Sequence, residues 1–340
     1  MLALPLSKRK VSMAGDLIRD HAGVKTVELD QALDVLGLWR ASHVYPLQSI
    51  YMTLRTRSRS VDATTLVSQR LKRVPSIMVK LQRQKGMELA RMQDIGGCRA
   101  VLKDVKAVSA LARKFDCPIT DYIKRPKPDG YRSMHLISKY QPAIEKHEAF
   151  AGRLIEIQIR SRLQHAWATA VETVDSLLNQ KLKAGGGDEK WRRFFALASS
   201  LIAIREGCPI VPGTPRNAAE IIKEMRSIDR RIRVNHRLSG LGTSVVRMTE
   251  SLSAKENRKV GAYILILNLD EKTIQNIQFE KSDIQDSLDE YLKLEKLHYG
   301  DPCMQVVHVY VNQIKDLKKA YPNYWLNVVD FMTAMSEVWK

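Results

Sequence analysis

Three prolines within seven residues divide this chain. The run from Cys208 to Pro215, Cys-Pro-Ile-Val-Pro-Gly-Thr-Pro, cannot be helical, because proline lacks the amide proton a helix needs and fixes its own φ. At 340 residues the chain is about two domains long, taking ~150 residues for each, so a break here is expected. Charge changes at the same place. Residues 1–215 hold 36 Lys and Arg against 20 Asp and Glu, whereas residues 216–340 hold 19 against 17. A basic surface attracts polyanions, of which nucleic acid is the commonest in a cytoplasm, so the first part reads as polyanion-handling and the second as having another task.

Other classes are disfavoured. No apolar run approaches the ~18 residues of a membrane span, and the first ten residues place their charges after a short apolar stretch, the reverse of a secretory signal. Cys98, Cys117, Cys208 and Cys303 are scattered without a Cys-x-x-Cys pair, which argues against a disulfide framework and fits a reducing cytoplasm. A cytoplasmic protein with no membrane partner is expected.

The first fifty residues read as helical. A helical pattern covers Gln69 to Arg83, with Pro75 and Ser76 marking a helix start. Gly96 and Gly97 precede a strand over Cys98 to Leu102, Asp121 to Gly130 is a proline-rich loop, and strands follow at Met134–Tyr140 and Leu154–Arg160. In the last of these, Ile155, Ile157 and Ile159 alternate with Glu156, Gln158 and Arg160, so one face is aliphatic and the other polar. A helix is predicted from Leu163, another capped by Asp188, and a third opened by a capping box of Asn217 and Glu220. Beyond these come strands at 260–268 and 273–279, a helix at 283–298, a strand at 304–311 and two terminal helices.

Two acids carry the chemistry. Asp94 stands just ahead of the glycine pair, and Glu156 lies on the polar face of its strand. Carboxylates presented by neighbouring strands can hold Mg²⁺ while nearby Lys and Arg hold phosphates; each acid alone is more often a solvated or salt-bridged residue. The loop Lys124-Arg-Pro-Lys-Pro-Asp-Gly-Tyr131-Arg132 offers a ring for stacking on a base beside cations for phosphate, or a turn aromatic that merely closes over the core. Neither a P-loop nor a dinucleotide glycine motif occurs.

Four blocks in order, Arg70-Leu-Lys72 with Ser76 and Lys80, Asp94-Ile-Gly-Gly-Cys-Arg99, Asp121 through His135, and Glu156-Ile-Gln158-Ile-Arg160, resemble the RelA/SpoT-type nucleotide pyrophosphokinases over residues 65–180. The resemblance implies an α/β (α+β) fold, a mixed β-sheet synthetase domain flanked by helices, and transfer of pyrophosphate from ATP to a ribose hydroxyl with Mg²⁺. Carried over by position, Arg70, Lys72, Ser76, Lys80 and Arg99 would bind ATP and Asp94 the metal. Glu156 would complete the metal site or act as base, and Tyr131, Arg132, His135, Gln158 and Arg160 would bind the acceptor.

The chain lacks the His-Asp dipeptide of the family's hydrolase domains and extends well past the synthetase helices. Ala320-Tyr321-Pro-Asn-Tyr324-Trp325, with Arg162 to Glu172 and the proline segment, resembles the CapRel family of fused toxin–antitoxin proteins. That resemblance implies a small α/β pseudo-zinc-finger antitoxin domain at 259–340, after an N-terminal helical region at 1–64, a synthetase at 65–207 and connecting helices at 208–258. It further implies pyrophosphate transfer to the 3′ end of tRNA, an inhibitory contact through Tyr321 and Tyr324, and release by a phage major capsid or other structural protein. The alternative is a (p)ppGpp- or (p)ppApp-type alarmone synthetase with a regulatory tail. His298, Cys303 and His308 fit no common zinc spacing, and Arg226, Arg230, Arg231, Arg233 and Arg237 form a basic stretch suited to tRNA or simply to solvent.

Overall fold

The computed structural model describes residues 6–20, 26–178, 186–239, 260–268, 271, 273–299, 301, 303–309 and 328–340. It is a mixed α+β protein, as the sequence predicts, with two sheets among the described residues. Three helices open it: α1 (Lys8–Asp20), α2 (Val27–Ala41) and α3 (Val44–Arg59). The first sheet contains β1 (Leu66–Leu71), β2 (Gly96–Leu102), β3 (Ile119–Asp121), β4 (Met134–Lys139) and β5 (Leu154–Ser161) in the order β1-β2-β5-β4-β3. Only β2 and β5 run parallel; the other neighbours are antiparallel. Helices α4 (Val74–Arg83), α5 (Val105–Ala112), α6 (Arg162–Leu178), α7 (Glu189–Arg205) and α8 (Ala218–Ile232) complete this part.

The alternation in β5 decides which way the sheet faces. Ile155, Ile157 and Ile159 are fully buried with Leu47 and Leu54 of α3 and Val108 and Leu111 of α5. Register then lines up the polar face. Arg70 pairs with Gly97 and Gly97 with Glu156, while Arg99 pairs with Gln158 and Gln158 with His135. Residues distant in sequence thus stand side by side because each strand shows alternate side chains to the same face.

The first part of the predicted helix at Gln69–Arg83 is instead strand. Gln69 to Leu71 pair with β2, and the helix begins only at Val74 with Pro75 in its first turn. Sheet pairing with buried Ser68, Gln69 and Leu71 outweighs the local helical pattern. The caps at Asp188 and Asn217 form as expected, accepting from the Lys190 and Ala219 amides; Glu220 stands exposed in the first turn of α8.

The C-terminal part holds β6 (Val260–Asn268), β7 (Thr273–Glu280), α9 (Ile284–Leu297) and β8 (Met304–Val309), with the antiparallel order β7-β6-β8. Two last helices, α10 (Val329–Ala334) and α11 (Ser336–Trp339), return to the first part: Phe331 and Val338 are buried in one cluster with Trp167, Trp191, Phe194 and Phe195 of α6 and α7. Among the described residues no helix is long and apolar enough to cross a membrane.

Candidate active site

A polar cavity of about 100 Å³ opens where β1 ends, β2 begins and α4 starts; Ser68, Arg70, Lys72, Arg73, Ser76, Asp94, Gly97, Arg99, Glu156 and Gln158 contribute to its walls. The two acids singled out from sequence therefore share one hollow. Asp94 receives Lys72 Nζ at 2.9 Å and Lys80 Nζ at 2.8 Å. Ser76 and Lys80 are four residues apart on α4 and so lie on one face. Burial pushes the Asp94 carboxyl up, but Lys72 and Lys80 outweigh it and hold it below the ordinary carboxylate value.

The glycine pair divides its tasks. A Cβ on Gly96 would sit 2.7 Å from the Ile155 side chain, so this glycine serves core packing. Gly97 faces the cavity, and its missing side chain leaves room between Arg70 and Glu156.

Glu156 lives in a different setting: a closed ring of side chains. His135 Nδ1 meets Glu156 Oε1 at 2.9 Å, and His135 Nε2 meets the Tyr131 hydroxyl at 2.6 Å. Arg160 Nη2 donates to that hydroxyl at 2.8 Å and to Gln158 Oε1 at 2.9 Å, and Gln158 Nε2 donates to Glu156 Oε2 at 2.7 Å. In the tautomer that donates Nδ1–H to the carboxylate, the hydroxyl donates to Nε2 and its oxygen accepts from Arg160. Burial pushes Glu156 up, Asp94 adds to that, and the bonds from His135 and Gln158 prevail, leaving it below its ordinary value. The Tyr131 hydroxyl is pushed up, mainly by burial.

Tyr131 also borders a narrow apolar cleft formed with Trp167, Ala168, Val171 and Phe195, edged by Asp129, Glu172 and Arg192. Lys127 Nζ rests 5.0 Å from the Tyr131 ring centre, within cation–π range. The preceding turn is built for close packing. Gly130 has φ +94°, and a Cβ there would lie 2.9 Å from Ser199 and 3.0 Å from Trp167.

Arg132 does not belong with the acceptor residues. It is 2% exposed and donates to Ser199 Oγ, the Ile123 carbonyl and the Pro209 carbonyl at 2.9, 3.0 and 2.6 Å. Through these three bonds the guanidinium fastens the loop to α7 and the proline segment. Arg99 does reach the cavity; burial, then Arg160, bring it down to about 10. Arg73 also lines the hollow, a contribution the sequence pattern gave no reason to expect, since it sits between strand and helix. Arg226 is spent on the Glu337 and Val338 carbonyls at 2.9 and 3.2 Å. His308 is buried in the second sheet with Nε2 3.0 Å from Ser287 Oγ, and burial brings it to about 3. Tyr321 and Tyr324 lie outside the described residues.

Residues 69–175 match the family described as the region found in RelA / SpoT proteins. They include the whole ring, the cavity wall apart from Ser68, and the cleft apart from Arg192 and Phe195. The chain is 36% identical over 124 residues to the GTP pyrophosphokinase YjbM of Bacillus subtilis, covering 34% of this chain and 56% of that protein. It is 32% identical over 133 residues to the GTP pyrophosphokinase YwaC of the same organism, covering 35% and 62%. The chain thus spans little more than half the length of these curated relatives. Among solved structures, small alarmone synthetase 1 from Bacillus subtilis superposes with a TM-score of 0.40 at 26% identity, over 49% of this chain and 89% of that one.

Proposed function

We propose that this chain is an ATP-dependent pyrophosphokinase whose acceptor is a ribose hydroxyl at the 3′ end of tRNA. The observation that carries the activity is that Asp94, between two lysines, and Glu156, in its ring, line one hollow with Arg70, Ser76 and Arg99. The donor set fits Mg²⁺, which commonly takes one or two carboxylates and completes its shell with water and substrate phosphates. Asp94 and Glu156, both held ionised, would hold it; when bound it would supply charge neutralisation to the phosphates.

The chain's own groups then divide the work. Lys72, Lys80, Arg70 and Arg99 bind the triphosphate, with the lysines exchanging Asp94 for phosphate oxygens. Tyr131 stacks on the acceptor base, and Glu156 orients the attacking hydroxyl. A bond forms between that oxygen and the β-phosphorus, the bond to the α-phosphate oxygen breaks, and AMP leaves. A loose transition state asks for little proton removal in advance, so Glu156, although a weak base, suffices to take the proton as the new bond forms.

The charge excess of residues 1–215 supports tRNA, whose many phosphates reward a basic surface. The naming of YjbM and YwaC as GTP pyrophosphokinases favours a second reading, a guanosine nucleotide as acceptor. In the tRNA reading the C-terminal part is the intramolecular antitoxin, Tyr321 and Tyr324 its inhibitory contact, and a phage structural protein its trigger; the resemblance to CapRel proteins supports this. Transfer of label from γ-labelled ATP, offered separately to deacylated tRNA and to GDP or GTP, decides between acceptors. Label on tRNA with release of AMP is expected, and label on the guanosine nucleotide alone would replace tRNA by the second reading.

A further inference from the structure

Helix α4 starts without a local cap. Arg73 occupies its N-cap position with no side-chain bond to the first turn, although helix starts leave amides in need of acceptors. The acceptor arrives from 221 residues away: Glu295 Oε1, on α9, takes the Val74 amide at 2.8 Å in a buried bond. Glu295 Oε2 meets Arg40 Nη1 at 2.5 Å. Arg40, fully buried on α2, donates Nε to the Lys72 carbonyl at 2.9 Å and Nη2 to the Tyr291 hydroxyl at 2.7 Å. Burial opposes this cation, yet Glu295 and Tyr291 more than offset it and keep it charged. Arg73 Nη1 adds a bond to Gln305 Oε1 of β8 at 2.6 Å.

Residues 72–74 are therefore held by side chains from α2, α9 and β8. Lys72, within this stretch, and Lys80, further along α4, both reach Asp94, and Ser76 lines the cavity, so displacing the start of α4 displaces three nucleotide-cradle residues together. The seam is not close-packed. A cavity of about 320 Å³ lies along it, between Gly37 and Leu38 of α2, Val74, Leu292 and Tyr299. Missing contacts there lower the cost of moving α9 relative to α2.

We propose that Glu295 is a positioning residue for the nucleotide cradle: by capping α4 and pairing Arg40 it makes the C-terminal part a component of the ATP site, so that ATP affinity depends on α9 being seated. This rests on the pyrophosphokinase reading. The C-terminal part is then a support as well as a cover, and a partner that pulls α9 away loosens ATP.

Three full-length forms test this: wild type, Glu295→Gln, and the pair Arg40→Met with Glu295→Leu. Glu295→Gln strips the charge and leaves Arg40 unpaired, while the double variant removes both charges and the cap, which is often well tolerated in a core. Calorimetry with a non-hydrolysable ATP analogue and Mg²⁺ should show about tenfold weaker binding in Glu295→Gln, the scale of a lost charged cap. Acceptor KM and kcat at saturating ATP should stay within about twofold, as a change confined to ATP binding requires. The double variant should recover thermal stability without recovering analogue affinity. Amide exchange at residues 74–80 should accelerate in both variants and stay unchanged over β4 and β5. Unaltered analogue affinity in Glu295→Gln, or affinity recovered together with stability in the double variant, would overturn the proposal. Tighter binding in Glu295→Gln would also overturn it, because the contact would then be a brake. Exchange needs no nucleotide: unchanged exchange at 74–80 refutes the coupling by itself, whereas a wild type that binds no analogue refutes only the pyrophosphokinase reading.

Discussion

Asp94 and Glu156 line the same cavity, are 18% and 16% exposed, and both sit below their ordinary carboxylate values despite burial. What holds them there differs. Asp94 is flanked by two flexible lysine charges, which can leave it for phosphate oxygens and so free its carboxylate for a metal without rebuilding the site. Glu156 is fixed by directional bonds from His135 and Gln158, which orient its oxygens and tolerate little displacement. One region is an exchangeable charge cradle and the other a rigid hydrogen-bonded frame, a division that suits the proposed transfer, which must accept a polyanion and aim a hydroxyl.

The sharpest way to break this contrast is to neutralise each acid in turn. Asp94→Asn should cut transfer about 10³-fold and weaken binding of the Mg–ATP analogue at least about tenfold, through loss of a metal ligand. Glu156→Gln should cut transfer about 10²- to 10⁴-fold, the range for an acid–base group, while weakening analogue binding less than Asp94→Asn does, because the amide oxygen still offers the metal an oxygen ligand. Single-turnover transfer and calorimetry report the two quantities separately. Equal loss of analogue binding in both variants would merge the regions into one.

How far this contrast is legible from sequence depends on which residues one takes. Glu156 is readable because Ile155, Ile157 and Ile159 give a clean alternation, and burial of those three leaves Glu156 no other face. The ring is less so: it needs the register that sets Gln158 opposite His135, and register arises from long-range pairing. Arg132 misled because it follows Tyr131 directly; adjacent residues at a strand entrance face opposite ways, and its three acceptors come from a loop, a helix and the proline segment. Gln69 to Leu71 misled for a related reason, since a short edge segment is decided by its partner strand rather than by its own pattern. The link from Arg40 to Glu295 leaves no local signal at all. It joins helices 255 residues apart, and only the folded chain shows that each charge has its mate.

Arg132 offers the next test. Replacing it by Met leaves Ser199 and two carbonyls without their donor, which should cost about 2–4 kcal/mol of stability, the range for breaking a buried hydrogen-bond network. Chemical denaturation measures this, while acceptor KM for the folded enzyme should hold. Tyr131→Phe acts inside the frame and should be milder, about tenfold in kcat, the worth of one hydrogen bond to a charged group. Its ring still stacks, so acceptor KM should change little, in contrast to Tyr131→Ala. A larger effect on KM than on kcat in Tyr131→Phe would mean that the hydroxyl binds the acceptor rather than steadying Glu156.

The smallest effect should appear in the dependence of stability on pH, and its sign follows from the shared direction of the two shifts. Asp94 lies below its ordinary value of 3.8 and Glu156 below 4.5. A carboxyl lowered on folding binds protons less readily in the native state than in the unfolded one, so its stabilising contribution is complete above the ordinary value. It is lost as the pH falls through the lower, folded value. Unfolding free energy from denaturant titrations should therefore carry the full contribution of both acids, unchanged, between pH 6 and 8 and should decline below about pH 4.5, where the unfolded carboxylates begin to protonate. Asp94→Asn and Glu156→Gln should each flatten part of that decline. Salt separates them further. The lysine pairs around Asp94 are partly exposed and screenable, whereas the bonds to Glu156 are short-ranged, so added salt should shrink the step that Asp94→Asn removes and spare the one that Glu156→Gln removes. Equal salt sensitivity of the two steps would show that Glu156 is held by charge rather than by directional bonds.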